Sequence, residues 1–196
     1  MDYLVSTDAI LVLRCQEDDS QAFDEIVRQY KDGIYNYILR MISNRDDAED
    51  LAVEVFVRAF AAIKSFRRDS NLRTWLYRIA TNLCIDKYRR YGIERKKLVP
   101  LEREYGDGEI RPMDLPDTSF DPEKLLGQKE LSDQIHRAIA KLPEKLRAPI
   151  LMYDMEDMSY GQIAEVLGCP IGTVKSRIFK ARTQLRRMLL PYVQNT

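Results

Sequence analysis

Residues 159–182, SYGQIAEVLGCPIGTVKSRIFKAR, contain the signals of two helices joined by a tight turn. Ser159 and Gln162 have the spacing of a capping box, and Gly168 is the residue type that commonly follows the end of a helix. A Cys-Pro pair then turns the chain before a second helix begins near Ile171. The pattern predicts a helix-turn-helix, the motif that places its second helix in the major groove of DNA.

The second helix of this motif is strongly basic. Between Ile171 and Arg187 the chain has six lysine or arginine residues and no acidic residue. A helical wheel with the apolar residues inward leaves Ser176, Phe179 and Lys180 pointing outward. These side chains offer donors for base edges, an aromatic contact for a thymine methyl group and cations for phosphates. The alternative is a solvated surface helix, but such helices usually mix charges of both signs.

The rest of the 196-residue chain balances this charge, with 31 Lys+Arg against 31 Asp+Glu in total. Hydrophobic residues at 45% and charged residues at 32% are typical of a soluble globular protein. No apolar run approaches the roughly 20 residues of a membrane span, and the start of the chain has no basic leader. The three cysteines lack the spacing of a disulfide framework or a metal site. We therefore expect a cytoplasmic protein without a metal or cofactor.

Helical periodicity divides the chain into two parts around a segment rich in proline, glycine and acidic residues. Before that segment, apolar stripes predict four helices at about 7–18, 21–42, 44–63 and 70–91, and the inward stripe of the third includes Phe60. After it, a helix is expected from the Asp121–Pro122 cap to about Leu142, and Pro143 opens another that Pro149 should bend or shorten. We predict an all-α protein of two small helical domains, residues 1–97 and 122–196, joined by a flexible acidic linker at 98–121.

A second basic surface lies near the end of the first domain. Residues 66–97 carry ten lysines and arginines against three acids, with aromatic residues interleaved. The outward side of the fourth helix is predicted to present Thr74, Tyr77, Arg78, Thr81 and Tyr88. Such a surface suits unpaired bases, which stack on rings, and the polar loop at 65–71 could close over an extruded base. The alternative is that Phe66 and Trp75 belong to the core and that the arginines are solvated.

The third helix differs, because its first turns are acidic. Asp46, Asp47, Glu49, Asp50 and Glu54 follow one another without a basic residue between them. Acids stabilise a helix N-terminus, which accounts for the first of them. An exposed acidic edge could equally dock a basic protein partner.

Three strings give the chain a family resemblance over nearly its whole length. DAEDLAVEVFVRAF at 47–60 and SFRRDSNLRTWLYRIATN at 65–82 resemble region two of a bacterial sigma factor. LPEKLRAPILMYDMEDMSYGQIAEVLGCPIGTVKSRIFKAR at 142–182 resembles region four. With only these two regions and a short linker, the chain resembles the extracytoplasmic-function (ECF) group of RNA polymerase sigma factors.

The resemblance implies a partner or DNA element for each surface. The third helix would dock on the clamp coiled coil of core RNA polymerase through Asp50, Leu51, Glu54 and Phe56. A glutamine is common in the family where this chain has Val53. The melted minus-ten element would be read by Ala62, Phe66, Asn71, Trp75, Tyr77, Arg78, Ile79 and Asn82. The minus-thirty-five element would meet Lys175, Ser176, Phe179 and Lys180 at base edges, and Tyr160, Thr173 and Arg177 at phosphates. The polymerase flap and an anti-sigma factor are further implied partners.

Three other classes of function are considered: an enzyme, a helix-turn-helix regulator and a helical adaptor that binds only protein. An enzyme is not expected, because His136 is the only histidine and no catalytic or phosphate-binding motif is present. The main alternative is a helix-turn-helix regulator with a helical sensory domain. The basic helix containing TWLYRIATN argues against it, since a ligand sensor needs no surface for single-stranded DNA.

Opposite charges lie next to each other around the linker. Residues 66–97 have a net charge of +7, and residues 98–133, with ten acids and four bases, have −6. In the family the linker threads the RNA path of polymerase, where acidity mimics transcript; a merely soluble tether is the alternative. We predict a compact free state, in which the second domain folds back and the linker partly covers Arg73, Arg78 and Arg89.

Overall fold

The computed structural model describes residues 7–67, 71–98 and 133–193, with side chains excepted at 92–98 and 193, and every regular element in these ranges is helical. The prediction of an all-α fold is therefore confirmed. The predicted Ser70 cap, the Asp121–Pro122 cap and nearly all of the predicted linker lie outside the described residues.

The first domain is a bundle arranged around its second helix. Its elements are α1 (Thr7–Gln16), α2 (Ser20–Ile42), α3 (Arg45–Ala62), a 3-10 turn (Ile63–Ser65) and α4 (Leu72–Leu98). Helices α1, α3 and α4 all pack against α2, whose Ile26, Ile34 and Ile38 are fully buried. Side-chain caps define where two of the helices begin: Asp19 accepts backbone N–H groups at the start of α2, and Asn44 does so for α3.

Helix α4 is longer than its apolar stripe predicted, because it reaches Leu98 instead of about Tyr91. The added residues, GIERKKL, are mostly good helix formers, and no proline occurs before Pro100. A single glycine in a helix interior costs only about 1 kcal/mol, which the neighbouring residues can offset.

The second domain contains the predicted helix-turn-helix. Its helices are α5 (133–140 of the described residues), α6 (Glu144–Asp154), α7 (Tyr160–Leu167) and α8 (Ile171–Val193). The capping box of α7 is formed by reciprocal hydrogen bonds between Ser159 and Gln162, and Gly168 has the left-handed φ of 57° that ends the helix. Helix α6 continues through the buried Pro149 for five further residues, so this proline does not end it.

The described parts of the two domains pack on each other. Helix α7 lies against α4, and α6 lies against α2, so that their buried residues form one continuous core. The expected folding back of the second domain is thus observed. Within the described ranges, no helix combines the length and apolarity needed to cross a bilayer.

Candidate nucleic-acid and polymerase interfaces

One face of α8 is exposed as the helical wheel predicted. Val174, Ile178 and Ala181 are buried against the rest of the domain, which turns the opposite face to solvent. Phe179 is 73% exposed there, an unusual exposure for a large aromatic residue. The exposed face also carries Lys175, Ser176 and Lys180, while Tyr160, Thr173 and Arg177 are half-buried beside it.

A stacked tyrosine pair supports two cations beside this face. The rings of Tyr153 and Tyr160 are parallel within 6°, with their centroids 4.7 Å apart. Lys175 Nζ lies 5.6 Å from the Tyr160 centroid, and Arg182 Cζ lies 5.1 Å from that of Tyr153. Neither Tyr153 nor Arg182 is predicted from the sequence, because the contact joins α6, α7 and α8 and leaves no periodic signal in any one of them.

On either side of residues 68–70, which lie outside the described ranges, the chain before α4 packs onto its own domain. Phe66 is buried and packs on Trp75 with their ring centroids 4.8 Å apart, as the core alternative expected. Gln16 Nε2 donates hydrogen bonds to the carbonyls of Ile63 and Phe66, at 3.2 Å and 3.0 Å. Asn71 Oδ1 accepts the Arg73 N–H at 2.8 Å, so that Asn71 caps the start of α4.

The outward side predicted for α4 is wrong for three residues, because Thr74, Tyr77 and Thr81 are buried. The Tyr77 ring packs edge-on against Tyr37 at 5.2 Å, and the Thr81 hydroxyl is hydrogen-bonded to Tyr37 Oη at 2.9 Å. Helix α4 lies between α2 on one side and α7 on the other, so it has two buried faces. Burial, reinforced by a hydrogen bond to the Glu156 carboxylate, raises the pKa of Tyr77.

The arginines of α4 pair with acids of the second domain. Arg73 Nη2 donates to the Glu156 carbonyl at 2.5 Å, and Arg78 Nη2 lies 2.9 Å from Glu165 Oε1. Arg89 is exposed and lies 3.6 Å from Asp86 on its own helix. The expected covering of Arg73 and Arg78 is therefore made, within the described residues, by α7 and the turn before it.

The other residues predicted at the minus-ten surface differ in exposure. Asn71 and Asn82, near the start and the middle of α4, are exposed. Ala62, Trp75, Arg78 and Ile79 are half-buried. In this domain arrangement the amides of Asn71 and Asn82 are exposed to solvent, whereas Thr74, Tyr77 and Thr81 between them are buried.

The face of α3 has both acidic and apolar residues. Asp50 is exposed, Glu54 pairs with Arg58 at 2.7 Å, and Leu51 and Phe56 are half-buried against the core. An apolar stripe with i, i+4, i+7 spacing lies exposed on this helix at Val53 (65%), Val57 (58%) and Phe60 (59%). Phe60 was predicted to point inward; it touches Phe23 edge-on at 5.0 Å yet remains mostly in solvent.

Comparison with known proteins identifies the class of this helical protein. The Sigma-70 region 2 family matches residues 26–92, and the Sigma-70, region 4 family matches residues 132–185. The chain is 39% identical over 180 residues to the ECF RNA polymerase sigma factor SigW of Bacillus subtilis, covering 91% of this chain and 94% of SigW. It is 33% identical over 192 residues to the ECF RNA polymerase sigma-E factor of Escherichia coli K12, covering 96% and 97%.

Solved structures give the same result. The sigma factor RpoE, in complex with the anti-sigma factor NepR from Bartonella quintana, is 26% identical with a TM-score of 0.66, covering 85% of this chain and 96% of that one. CnrH, in complex with the cytosolic domain of CnrY, shares the fold at 23% identity and a TM-score of 0.67, covering 94% and 97%.

The chain belongs to the ECF group of RNA polymerase sigma factors. It directs core RNA polymerase to specific promoters, and its region four is the helix-turn-helix that reads the minus-thirty-five element. Sigma factors are initiation factors without enzymatic activity of their own. The alternative of a regulator with a sensory domain is thereby set aside.

Proposed function

We propose that three surfaces of this chain divide the work of promoter recognition. Residues 1–97 form region two, residues 98–121 the linker and residues 122–196 region four. Helix α3 docks on polymerase, the loop and α4 take the melted minus-ten strand, and α8 reads the minus-thirty-five duplex. The protein acts in the cytoplasm, where its polymerase works, and the proposal assigns no catalytic residue, metal or cofactor to it.

For the minus-thirty-five element, the exposed face of α8 is the observation that carries the proposal. Lys180 and Ser176 meet base edges, and Phe179 packs on an apolar base edge such as a thymine methyl group. Lys175 meets the DNA with its position restricted by the Tyr160 ring, 5.6 Å from its ammonium nitrogen. Tyr160, Thr173 and Arg177 hold the phosphate backbone and set the register of the helix.

For polymerase, α3 offers an acidic edge beside an apolar stripe. Asp50 and Glu54 supply charge for a basic partner surface, and Val53 and Val57 supply apolar area for its centre. An apolar stripe of this kind on a water-facing helix marks a protein interface. We therefore extend the proposed docking set of Asp50, Leu51, Glu54 and Phe56 to include Val53, Val57 and Phe60.

For the minus-ten element, the groups of the loop and α4 combine stacking and hydrogen bonding. Asn71 and Asn82 present amides to the edges of unpaired bases, while Phe66, Trp75 and Tyr77 offer rings for stacking. Arg78 offers a cation to the backbone, with Ala62 and Ile79 as walls. Tyr77 and Arg78 contact region four in the compact form, so region four must move before they take the strand. Phe66, which packs on Trp75 in its own domain, must also leave that contact.

An anti-sigma factor is the further partner that we propose. The RpoE of known structure is held by the anti-sigma factor NepR, and it resembles this chain over 85% of the chain's length. A protein of that kind would keep this sigma factor from polymerase until a signal releases it.

The proposal is tested by transcription from a randomised promoter library with purified core polymerase. Lys180→Ala should weaken use of preferred promoters by about 1–3 kcal/mol and relax base preference at one or two upstream positions, because one base-edge contact is lost. Lys145→Ala, which removes an exposed lysine from α6, is the control and should leave the preferences unchanged. Unaltered base preferences with Lys180→Ala would contradict the assignment of α8.

A further inference from the structure

The Arg147 guanidinium lies between the ends of two helices that belong to different domains. Its Nη1 donates to the Met41 carbonyl near the end of α2 and to the Tyr88 hydroxyl of α4. Its Nη2 donates to the carbonyls of Ala140 and Leu142, at the end of α5. The residue is only 6% exposed, and all four of these acceptors are uncharged. Helix C-termini carry partial negative charge, so the two helix ends supply the negative charge that an acidic side chain would otherwise provide to the Arg147 guanidinium.

Glu156 makes a second connection between the domains. It lies in the turn between α6 and α7 and is 9% exposed. A carboxylate is rarely buried this far unless it has partners. The Tyr77 hydroxyl donates to its Oε2, and Arg73 Nη2 lies 3.3 Å from the same oxygen. At the edge of the contact, Arg78 pairs with Glu165. Acidic groups of region four therefore cover the first two turns of α4, where the minus-ten strand is proposed to bind.

Gly33 of α2 makes room for this contact. A Cβ atom at Gly33 would lie 3.1 Å from Tyr77 Oη and 3.7 Å from Glu156 Oε2. Glycine within a helix is less stable than alanine, so helix propensity does not explain this residue in the middle of α2. The close approach of the Tyr77–Glu156 pair does explain it.

The contact between the domains also contains groups that oppose it. Arg78 Nε and Arg147 Nε are buried without a hydrogen-bond partner among the residues that the structure describes. Removing a polar atom from water without giving it a partner is unfavourable. The compact arrangement is therefore one that a competing partner can release.

We infer that Arg147 and Glu156 form an interdomain latch, which holds region four over residues 73–78 of α4 and keeps free sigma factor from binding the melted minus-ten strand. The inference rests on the proposed role of α4 in minus-ten recognition. The strand and the latch exclude each other, because Tyr77 and Arg78 cannot contact acidic side chains and DNA at once. Docking on polymerase would separate the domains and free the same groups.

The latch is tested in the full chain with two substitutions on opposite sides of the contact. Glu156→Gln removes the charge that pairs with Arg73, and Gly33→Ala places a methyl group against Tyr77. The probe is a fluorescent single-stranded oligonucleotide that carries the minus-ten sequence of a promoter used by the wild-type holoenzyme. Each variant should bind the probe at least about fivefold more tightly than wild type without polymerase, the low end of usual coupling between sites. Small-angle scattering should show a larger radius of gyration.

Asp157→Asn is the matched control, because it removes the same charge from the next, exposed residue, whose φ of 49° suits asparagine. It should behave as wild type. The latch is overturned if both test variants keep wild-type affinity for the probe, or if they expand without binding it more tightly. If the variants give either of these results while the wild-type holoenzyme melts promoters normally, the latch is rejected and the proposed minus-ten surface is retained. A holoenzyme that uses promoters without contacting α4 would reject the proposed minus-ten surface itself.

Discussion

Asp47 connects the first turn of α3 to the middle of α4. Its carboxylate accepts hydrogen bonds from Lys87 Nζ, at 2.5 Å, and from the Tyr91 hydroxyl. Burial acts to raise the pKa of Asp47, but the hydrogen bonds from Lys87 and Tyr91 outweigh it and the pKa is lowered. The hydrogen bond to Asp47 raises the pKa of Lys87. The helix dipole accounts for an acidic residue at position 47, and these hydrogen bonds show that Asp47 also joins α3 to α4.

Asp47→Asn should lower the free energy of unfolding by about 1.5–3 kcal/mol at pH 7, since a charged hydrogen-bond acceptor is lost. A lowered folded-state pKa stabilises the fold above the unfolded value, near 3.9, and this contribution disappears as the pH falls through the folded value. The difference between wild type and variant should therefore shrink below about pH 4. Urea unfolding at several pH values measures it. Asp46→Asn, at the exposed neighbouring position, is the control, and an equal loss there would contradict this role of Asp47.

At the scale of the element, the boundaries of α7 and α8 follow from local chemistry, and these were predictable. The capping box, the left-handed glycine and the apolar stripe of α8 all act within a few residues of sequence. The exposed faces of α4 and α3 were less predictable. A helical wheel divides a helix into one buried and one open face, whereas α4 is covered by both α2 and α7. Tyr77 and Thr81 were therefore predicted to face solvent, although both are buried. Phe60 was predicted to face the core, although it is mostly exposed.

Two glycines of the helix-turn-helix should respond oppositely to alanine. Gly168→Ala should destabilise the protein by about 1–2 kcal/mol, because its φ of 57° is strained for any residue with a Cβ atom. Gly172→Ala should be neutral or stabilise by up to about 1 kcal/mol, because nothing lies within 4 Å of the added methyl group and the residue lies in a helix. Denaturant unfolding of the two variants compares them directly. A Gly172→Ala protein as unstable as Gly168→Ala would show that the conformation of the turn is not the cause.

At the scale of the whole molecule, the compact form cannot be the form that reads a promoter. Promoter elements about two helical turns apart are separated by roughly 70 Å along DNA. The predicted 24-residue linker spans at most about 80 Å when extended, so both domains reach their elements only after they part. This packing of the domains was anticipated from charge, but its contacts were not, since Arg147, Glu156 and Gly33 carry no motif that sequence reasoning recognises.

Strand opening should depend on Asn82, which is exposed on α4 in the compact form. Asn82→Ala should leave closed-complex formation nearly intact and reduce permanganate reactivity of minus-ten thymines, because the lost amide is proposed to contact only unpaired bases. Footprinting and permanganate probing of the same holoenzyme separate the two steps. Gln21→Ala, at an exposed amide of α2, should change neither. Weaker closed complexes with normal opening of those that form would contradict the assignment of Asn82.

The exposed stripe of α3 has a kinetic consequence. Val53, Val57 and Phe60 are open to solvent while the domains are packed together, so polymerase need not wait for the rare separated molecules in order to make its first encounter. A partner restricted to those molecules would bind more weakly in proportion to their fraction, about a hundredfold if one in a hundred were open. The proposed docking through α3 would avoid that reduction at the first step. On that proposal the encounter with polymerase precedes the conformational change, and the order of events is that of induced fit.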